Sequence, residues 1–557
     1  MAEIASGMGS SSSAREEPLL TGANVIDKGG PISRWYHESA WHGMGLFGES
    51  FLLFSVGTLK PFWVALYPEC WDTHEECSSQ LTSSITSSVV FGIIVGMIVI
   101  GTLANSIGRR RGSILTASIM SSAALLLFLC TLFGARGDNP SLLFTTTSCL
   151  LFLFGVGVGG EYPLSAASAS ERAIGSLRER LQDATSAYDG GLLDNHVTDR
   201  GKKVLLVFTM QGLGIFLNTF LITILLVVTG QIDGASGDVS FKNGNDSDVS
   251  GNYSSTALRF IWQSVYAIAA AILIYVAISR YLHLPESSVW ADDRNQRELN
   301  ASNGSADNIS PQSTDGRSSH ANLLWRNYWH RILGSSLSWL LWDVAFYGNK
   351  LFQSAFLISL TGDERTLLEL SGAATLNALV ALLGYFAAAF IIDRPNVGRF
   401  RMQQWGFALV GVLFVACGML SEVVPNWCLM FLYFASSFFG QCGPNATTFL
   451  IPAEIFPTEV RTMCHGIAAS AGKIGALIAA IAFNYVTDAS MFLICGYSCF
   501  LAFLVTTLTI PETTTLDLFE VDVKWHMIIS GKKGLYDGPA NLPEYSSYYE
   551  RKKLTYD

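Results

Sequence analysis

Long apolar runs and short polar stretches alternate along the whole chain. Twelve runs carry little charge and reach about 20 residues, the length that an α-helix needs to cross a bilayer. They lie at residues 44–66, 84–106, 113–134, 141–168, 203–230, 258–282, 330–358, 369–393, 402–421, 427–452, 463–487 and 490–510. The pattern predicts an all-α membrane protein with twelve transmembrane helices.

Polar stretches divide these helices into two sets of six. Residues 283–329 are rich in Ser, Asn and Asp and contain few apolar side chains, which is typical of a disordered linker. Residues 1–43 and 511–557 are also polar. We therefore expect two six-helix bundles, 44–282 and 330–510, joined by the linker and flanked by two tails.

The basic residues predict the orientation of the chain. Lys and Arg concentrate in every second loop, at residues 108–112, 170–203, 393–401 and 459–461, and the alternate loops are acidic or neutral. The positive-inside rule then places the basic loops, the linker and both tails in the cytoplasm.

Loops on the opposite side allow two covalent modifications. Cys70 and Cys77 share one short acidic loop, where they either form a disulfide or stay reduced. Sequons begin at Asn245 and Asn252 in another such loop, where glycosylation is allowed. Three further sequons, at Asn300, Asn303 and Asn308, lie in the linker and should stay unmodified.

Composition narrows the function classes. Half of the residues are hydrophobic and 14% are charged, whereas a soluble domain has about 25% charged residues. The net charge of −10 forms no basic patch, so nucleic-acid binding is not expected. Neither a metal-ligand spacing nor a nucleophile–base pair stands out. We expect no enzyme activity, no cofactor and no metal.

The two halves repeat each other in three places. The sixth run ends in "LPESS" and the twelfth in "IPETT". Glu171 and Arg178 follow the fourth run with the spacing that Glu454 and Arg461 have after the tenth. Basic turns, "SIGRRRG" and "NVGRFR", follow the second and eighth runs. Repeated halves of six helices are typical of secondary transporters.

The segment "GVGVGGEYPLSAASASERA" (155–173) allows two interpretations of its glycines. Four glycines resemble a dinucleotide-binding loop, but such a loop follows a strand. Here they follow an unbroken apolar run, where small residues more often permit close helix packing. Glu161 and Tyr162, which come next, are costly within a membrane. They either line a transport path or bond to a neighbouring helix.

The seventh and eleventh runs carry further polar residues. Trp339, Asp343 and Tyr347 are spaced by four and share one helix face. A desolvated Asp343 could exchange a proton; the alternative is a buried ion pair with Lys473. Midspan polar residues also include Glu49, Gln211 and Asn445. Together these groups suit a small polar anion that is transported with protons.

These motifs resemble those of the phosphate:proton symporters of the major facilitator superfamily. The similar segments are "GGEYPLSA" (159–166), the stretch from Trp339 to Tyr347, and "GPNATTFLIPAEIFPTEVR" (443–461). The resemblance implies a fold of two six-helix bundles with phosphate bound between them. It implies substrate-binding roles for Tyr162, Gln211, Trp339, Asp343, Tyr347, Asn445 and Lys473, and proton-coupling roles for Glu49, Glu161 and Asp343.

Three positions depart from the family pattern. Glu161 stands where the family has Asp, Leu52 replaces a first-helix Asp, and Asn105 replaces an Asp after the second run. The basic turns are expected to form a cytoplasmic gate. Its expected members are Arg109, Arg110, Glu171, Arg178, Asp393, Arg399, Glu454 and Arg461. For single arginines, setting the topology is the simpler alternative.

The sequence thus predicts a proton-coupled importer of inorganic phosphate that works by alternating access. Two alternatives stay open: a transporter of an organic phosphate, such as a glycerophosphodiester, or of another organic anion, and a nutrient-sensing receptor on a transporter scaffold. The plasma membrane is the expected location. The segment "EEPLL" (16–20) resembles a dileucine sorting signal and leaves a vacuolar or lysosomal membrane as the alternative.

Overall fold

The computed structural model describes residues 41–556 apart from ten short stretches. The stretches left out are 72, 135–138, 185–199, 234–238, 244–246, 288–289, 292–293, 296–313, 362–365 and 422. Within the described part the chain is almost entirely helical. The predicted sequons at Asn245, Asn300, Asn303 and Asn308 and the "EEPLL" segment lie outside it.

The helices of the first half follow the six predicted runs. They are α1 (Trp41–Leu53), α2 (Ser55–Leu66), α3 (Pro68–Trp71), α4 (Ser79–Ile107), α5 (Arg109–Gly134), α6 (Pro140–Ala184), α7 (Arg200–Asp233) and α8 (Ser255–His283). α1 and α2 form one membrane span with a break at Phe54. α6 extends sixteen residues beyond the predicted run, and this extension contains Glu171 and Arg178.

The second half has the same plan. Its helices are α9 (Thr314–Leu351), α10 (Gln353–Thr361), α11 (Leu367–Ile391), α12 (Arg399–Leu420), α13 (Asn426–Gly440), α14 (Ala446–Leu450), α15 (Thr458–Ala482) and α16 (Asp488–Thr509). Nine helices of the described residues are individually long and apolar enough to span a membrane. Three broken spans, α1–α2, α9–α10 and α13–α14, complete the predicted twelve.

Pro444 explains the break between α13 and α14. Because proline has no N–H group, the helix widens into a π-turn at Gln441–Asn445. The Thr447 and Thr448 hydroxyls donate to the carbonyls of Gly443 and Pro444 over 3.0 and 2.8 Å. This turn places Asn445 at the centre of the molecule, next to the first half.

The four glycines of α6 form the packing seam that the apolar context predicts. A Cβ on Gly155 or Gly159 would overlap carbonyl oxygens of α4, at Val89 and Ile93. A Cβ on Gly157 or Gly160 would meet Met120 and Thr116 of α5 instead. The seam therefore lets α6 lie against two neighbours at once. The glycines follow helical residues of α6 and not the strand that a nucleotide loop needs.

Two features mark the end of the molecule that is predicted to be non-cytoplasmic, which we call the hairpin face. The strands β1 (Val239–Asn243) and β2 (Ser247–Tyr253) pair antiparallel there, where the sequence predicts only a loop. Cys70 and Cys77 form a disulfide on the same side, which decides between the two alternatives for this pair.

The opposite end, which we call the basic face, explains the repeated "PE" motifs. Glu286 accepts hydrogen bonds from the backbone N–H groups of Arg109 and Arg110 over 2.8 and 3.0 Å. Glu512 caps the start of α12 in the same way, through Arg399 over 3.0 Å and Phe400 over 3.2 Å. Each carboxylate thus joins the last span of its half to the third span of the same half. It does so at a helix N-terminus, where a negative charge is stabilising.

The segments predicted to be a linker and a polar tail contain folded helices. α9 begins at Thr314, sixteen residues before the predicted span. Two more helices follow residue 511, α17 (Leu518–Ile529) and α18 (Tyr548–Tyr556). Trp525 and Ile528 of α17 are buried against the start of α9, in a cluster with Leu324 and Tyr328. Hydropathy alone misses the two tail helices because α17 has only 12 residues and α18 is polar.

Candidate functional site

The centre of the molecule, between the two halves, holds a buried lysine surrounded by one carboxylate and two phenol rings. Lys473 of α15 donates to Asp343 Oδ2 of α9 over 2.7 Å. Its Nζ lies 4.2 Å from the ring centre of Tyr347 and 5.0 Å from that of Tyr162. Tyr162 comes from the first half, so both halves contact this cation. The spacing of Asp343 and Tyr347 predicts their shared face.

A chain of hydrogen bonds continues from Tyr162 into the second half. Gln211 Nε2 donates to the Tyr162 hydroxyl over 2.6 Å, and the Tyr385 hydroxyl donates to Gln211 Oε1 over 2.8 Å. Asn445 Nδ2 lies 2.8 Å from the Tyr385 hydroxyl and 2.7 Å from Gln441 Oε1. Gln211 and Asn445, which the sequence places in two different halves, therefore share one network.

Trp342, which sequence reasoning missed, donates its indole N–H to Asn445 Oδ1 over 2.9 Å. Trp339 lies within hydrogen-bonding reach of Asp343 and contacts His465 edge to face. The Trp342 indole thus contacts the amide network, and the Trp339 indole lies beside the ion pair. Tyr385 and Gln441 were missed as well, because a single Tyr or Gln in an apolar run is most often a packing residue.

Glu49 of α1 is fully buried close to this cluster. Neither of its carboxyl oxygens makes a hydrogen bond of good geometry in the described part of the chain, although Tyr162 lies close to it. The charged groups around it are Glu161, Lys473 and Arg280. Unlike Glu161 and Asp343, Glu49 forms none of the ion pairs among the described residues.

Glu161 has a partner that the sequence did not reveal. Arg280 of α8 donates to both of its carboxyl oxygens, over 2.6 and 2.5 Å, and to the Ser113 carbonyl over 3.1 Å. Thr116 donates to Glu161 Oε2 as well, over 3.3 Å. Arg280 stands near the end of a predicted span, a position typical of side chains that reach the membrane surface.

A network of ion pairs closes the basic face between the halves. Arg200 of α7 donates to Glu454 over 2.9 Å, and Arg399 donates to the same carboxylate over 3.0 Å. Asp393 pairs with Arg399 over 2.8 Å and accepts from the backbone of Lys202 over 2.7 Å. Burial opposes ionisation of Glu454, but its two guanidinium partners outweigh this effect and lower its pKa to about 2.

For the other five predicted gate residues only part of the surroundings is described, and their membership of the gate stays a prediction. Arg109 donates to the Ala104 carbonyl over 3.0 Å, and Arg110 to that of Leu284 over 2.7 Å. Arg461 donates to the Phe456 carbonyl over 3.2 Å. The side chains of Glu171 and Arg178 lie outside the described part. Arg200, which was not among the predicted gate residues, forms the ion pair with Glu454 that joins the two halves.

The hairpin face is closed as well. The Thr223 hydroxyl of α7 lies 2.7 Å from that of Ser371 and 2.9 Å from that of Thr375 on α11. Phe54 contacts the rings of Phe346 and Tyr347, with centroid distances of 5.8 and 5.7 Å. The central cluster is therefore enclosed between two closed ends.

Known proteins are similar to this chain in sequence and in fold. The model of the sugar (and other) transporter family matches residues 44–186 and 225–525. The chain belongs to this family. Among curated relatives, low affinity inorganic phosphate transporter 5 of Petunia hybrida is 27% identical over 85% of this chain and 88% of its own. A putative inorganic phosphate transporter of fission yeast is also 27% identical, over 67% and 68%.

Solved structures of this transporter class have the same fold. The proton:xylose symporter XylE aligns with a TM-score of 0.62 at 17% identity, covering 89% of this chain and 99% of its own. The E. coli fucose:proton symporter FucP aligns with a TM-score of 0.52 at 14% identity, covering 83% and 97%. The family member is thus a multi-pass membrane transporter with the major facilitator fold, and not an enzyme.

Proposed function

We propose that this transporter imports inorganic phosphate together with protons by alternating access. The observation that carries the proposal is the buried Lys473–Asp343 pair at the centre of the interface, flanked by Tyr162 and Tyr347. A cation surrounded by hydroxyl and amide donors suits a small oxyanion. The names of the curated relatives in plants and fission yeast support phosphate as that anion.

The ion pair offers a way to couple the anion to a proton. While Asp343 is ionised, it occupies the Lys473 ammonium group and would repel a phosphate placed beside it. A proton on Asp343 removes this charge and leaves Lys473 to bind the anion. Loss of that proton on the cytoplasmic side restores the pair and expels the phosphate. Proton and anion therefore bind together and leave together.

Two further carboxyl groups are candidates for the proton path. Glu49 makes no hydrogen bond of good geometry in the described residues and lies near Tyr162 and Glu161, so it can hold a proton in this conformation. Glu161 is held by Arg280 through two hydrogen bonds. It becomes a proton carrier only in a conformation in which that arginine moves away.

The amides and phenols complete the proposed binding set. Hydrogen bonds already join Tyr162, Gln211 and Asn445. A bound phosphate would therefore replace some of the hydrogen bonds within the cluster. Trp339 orients Asp343, and Tyr347 contacts the lysine. We place the transporter in the plasma membrane, which surface labelling of intact cells would test against a vacuolar or lysosomal location.

The decisive experiment is counterflow and net uptake with purified protein in liposomes. Inorganic phosphate is compared with glycerol phosphodiesters and other anions, at two external pH values. We expect phosphate to be exchanged and its net uptake to rise when the outside is more acidic. Preference for an organic phosphate would replace the substrate, and binding without flux would favour a receptor.

Asp343→Asn tests the coupling itself. The amide cannot carry the proton, so we expect pH-driven net uptake to be lost, by a factor of about 100 or more for a proton-transferring group. Ser338→Ala, one turn earlier on the same helix, is the matched control and should retain it. Undiminished pH-driven uptake by Asp343→Asn would contradict the mechanism.

A further inference from the structure

A second buried lysine lies on the same helix as Asp343. Lys350 follows it by seven residues, so two turns and about 10 Å of helix separate them on the same side. Because α9 begins at the basic face, Lys350 lies between the central cluster and the hairpin face. Only 4% of its surface is exposed.

Nothing in the described part of the chain neutralises this lysine. Its Nζ is buried and has no hydrogen-bond partner, and none of the ion pairs among the described residues includes it. A lone cation in a membrane span is costly even by insertion scales. Lys473 avoids this cost through Asp343. A negative charge from outside the protein would do the same for Lys350.

The cavity that Lys350 lines offers donors rather than acceptors. It lies between α9, α12 and α13 of the second half and is narrow, with about 10 Å³ of space for a water-sized group, so an anion larger than water has to widen it. Its polar walls are formed by Asn349, Lys350, Ser436, Ser437 and Gln441. The side-chain oxygen of Asn349 already accepts from Tyr433, and that of Gln441 accepts from Asn445. The Ser437 hydroxyl is buried and unpartnered in the described chain. Free N–H and O–H groups around an ammonium group are the chemistry that binds an anion.

A second, separate cavity lies nearer the hairpin face, between the two halves. Its walls include Thr58 of α2 and Gln353 of α10, and the Gln353 amide nitrogen is again buried without a partner in the described residues. Lys60 of α2 lies over the Phe352 ring, 5.5 Å from its centre. The outer half of this interface therefore carries two lysines, and the ion pairs among the described residues include neither.

We propose that Lys350, with Ser437 and the Asn349 amide, forms a second binding site for a small inorganic anion, outward of the central cluster. The site itself follows from the unpaired lysine and its donor-lined cavity. Its role as a station that phosphate occupies before it reaches Lys473 rests on the proposed function. A resident chloride would use the same donors, so the two anions are separated by experiment.

The first test measures binding without transport. The melting midpoint of the purified full-length protein is followed as sodium phosphate or sodium chloride replaces sodium gluconate at constant ionic strength. The double variant Asp343→Asn with Lys473→Met removes the central pair without leaving a lone charge. We expect the midpoint of this variant to rise still with anion concentration. Adding Lys350→Met should abolish the rise, and adding Lys350→Arg should preserve it.

The second test measures uptake from outside. Lys350→Met in the otherwise native chain should raise the external phosphate concentration for half-maximal uptake about tenfold, as the loss of one charge-assisted hydrogen bond implies. Lys350→Arg should remain near the native value. A midpoint that responds to chloride alone, with unchanged phosphate uptake, would establish an anion site and overturn the station role.

The remaining outcomes separate this inference from the proposed function. A midpoint that ignores both anions, or that responds equally with and without Lys350, overturns the site even if phosphate is transported. A Lys350-dependent midpoint shift in a protein that takes up no phosphate leaves the site standing and overturns the proposed function.

Discussion

Two buried carboxylates, Glu161 and Asp343, each face one basic side chain, and the two pairs are built differently. Arg280 grips both oxygens of Glu161 and also donates to the Ser113 carbonyl. Lys473 makes one hydrogen bond to Asp343 and otherwise contacts aromatic rings. A planar guanidinium held at three points is fixed, whereas an ammonium on a flexible stem can exchange partners. Of the two pairs, the one at Asp343 is therefore the easier to break, as the proposed mechanism requires.

Removing Arg280 alone should therefore lower the stability of the folded protein. Arg280→Gln leaves Glu161 buried without its cation, which destabilises by about 3–5 kcal/mol. Combining it with Glu161→Gln removes both charges and should recover most of that loss. Melting midpoints of the single and double variants measure the coupling. Independent, additive effects of the two changes would show that the pair does not act as a unit.

At this scale the sequence predicts which residues are unusual, and it predicts their partners less well. An acidic residue within an apolar run needs a partner, and for Asp343 an ion pair with Lys473 was one of the two interpretations that the sequence allowed. Arg280 was not matched to Glu161, because it stands near the end of its predicted span and only the folded bundle brings the two side chains together. Lys350 was missed because its helix position near a break was not visible.

Among the elements, α6 shows how composition controls helix spacing. Its glycines at 155 and 159 let the carbonyls of α4 approach directly, while those at 157 and 160 accommodate side chains of α5. The tenth span, α13–α14, instead contains a π-turn at Pro444. The glycines thus bring α6 closer to its neighbours, and the π-turn changes the path of α13–α14 so that Asn445 reaches the centre.

Gly159→Ala should destabilise the first half. Its Cβ would overlap the Ile93 carbonyl oxygen and lie 2.7 Å from the Met97 nitrogen, and backbone atoms cannot turn aside, so a cost of about 1–3 kcal/mol is expected. Gly101→Ala is the matched control, because its nearest neighbour would be at 3.6 Å. Thermal unfolding in detergent compares the two. Equal midpoints for both variants would contradict a seam at α6.

The twelve spans were predictable at the element scale because each is a long apolar run, and Pro444 signalled its own break. The breaks at Phe54 and Phe352 carry no proline or glycine at the break itself and gave no signal. α17 was missed because a helix of 12 residues is too short to be predicted as a span, and α18 because its polar composition is that of a loop. Trp525 and Ile528 become informative only once α9 supplies the surface that they cover.

The whole molecule is closed at both ends around its polar centre, and the two closures differ chemically. The hairpin face is held by hydroxyl groups and aromatic rings, and the basic face by Arg200, Glu454 and Arg399. Since Glu286 and Glu512 fix the ends within each half, opening has to occur between the halves. In the proposed mechanism, opening of the basic face includes breaking Arg200–Glu454.

The pKa of Glu454, lowered to about 2, predicts how this closure depends on pH. A carboxyl whose pKa is lower in the folded state than its unfolded value of about 4.3 stabilises the fold above that value and loses the effect only as pH falls toward 2. We therefore expect Glu454→Gln to lower the melting midpoint by the same amount at every pH from 5 to 8.

Glu544→Gln, an exposed change in the tail, should leave the midpoint unchanged and serves as the control. A Glu454→Gln effect that grows or shrinks between pH 5 and 8 would show that the basic face itself senses protons. A constant effect would leave the proton-dependent step to the central carboxyl groups.

The folded tail has a consequence for how the protein is made. Residues 518–553 leave the ribosome after all twelve spans, yet they cover apolar side chains of α9, and Glu550 pairs with Arg331 over 2.8 Å. A chain that stops after the last span would be fully inserted but would present Leu324 and Tyr328 to the surrounding water. Such an exposed patch is what quality-control chaperones bind. The packing of α17 on α9 therefore covers apolar surface that the twelve spans by themselves would leave exposed.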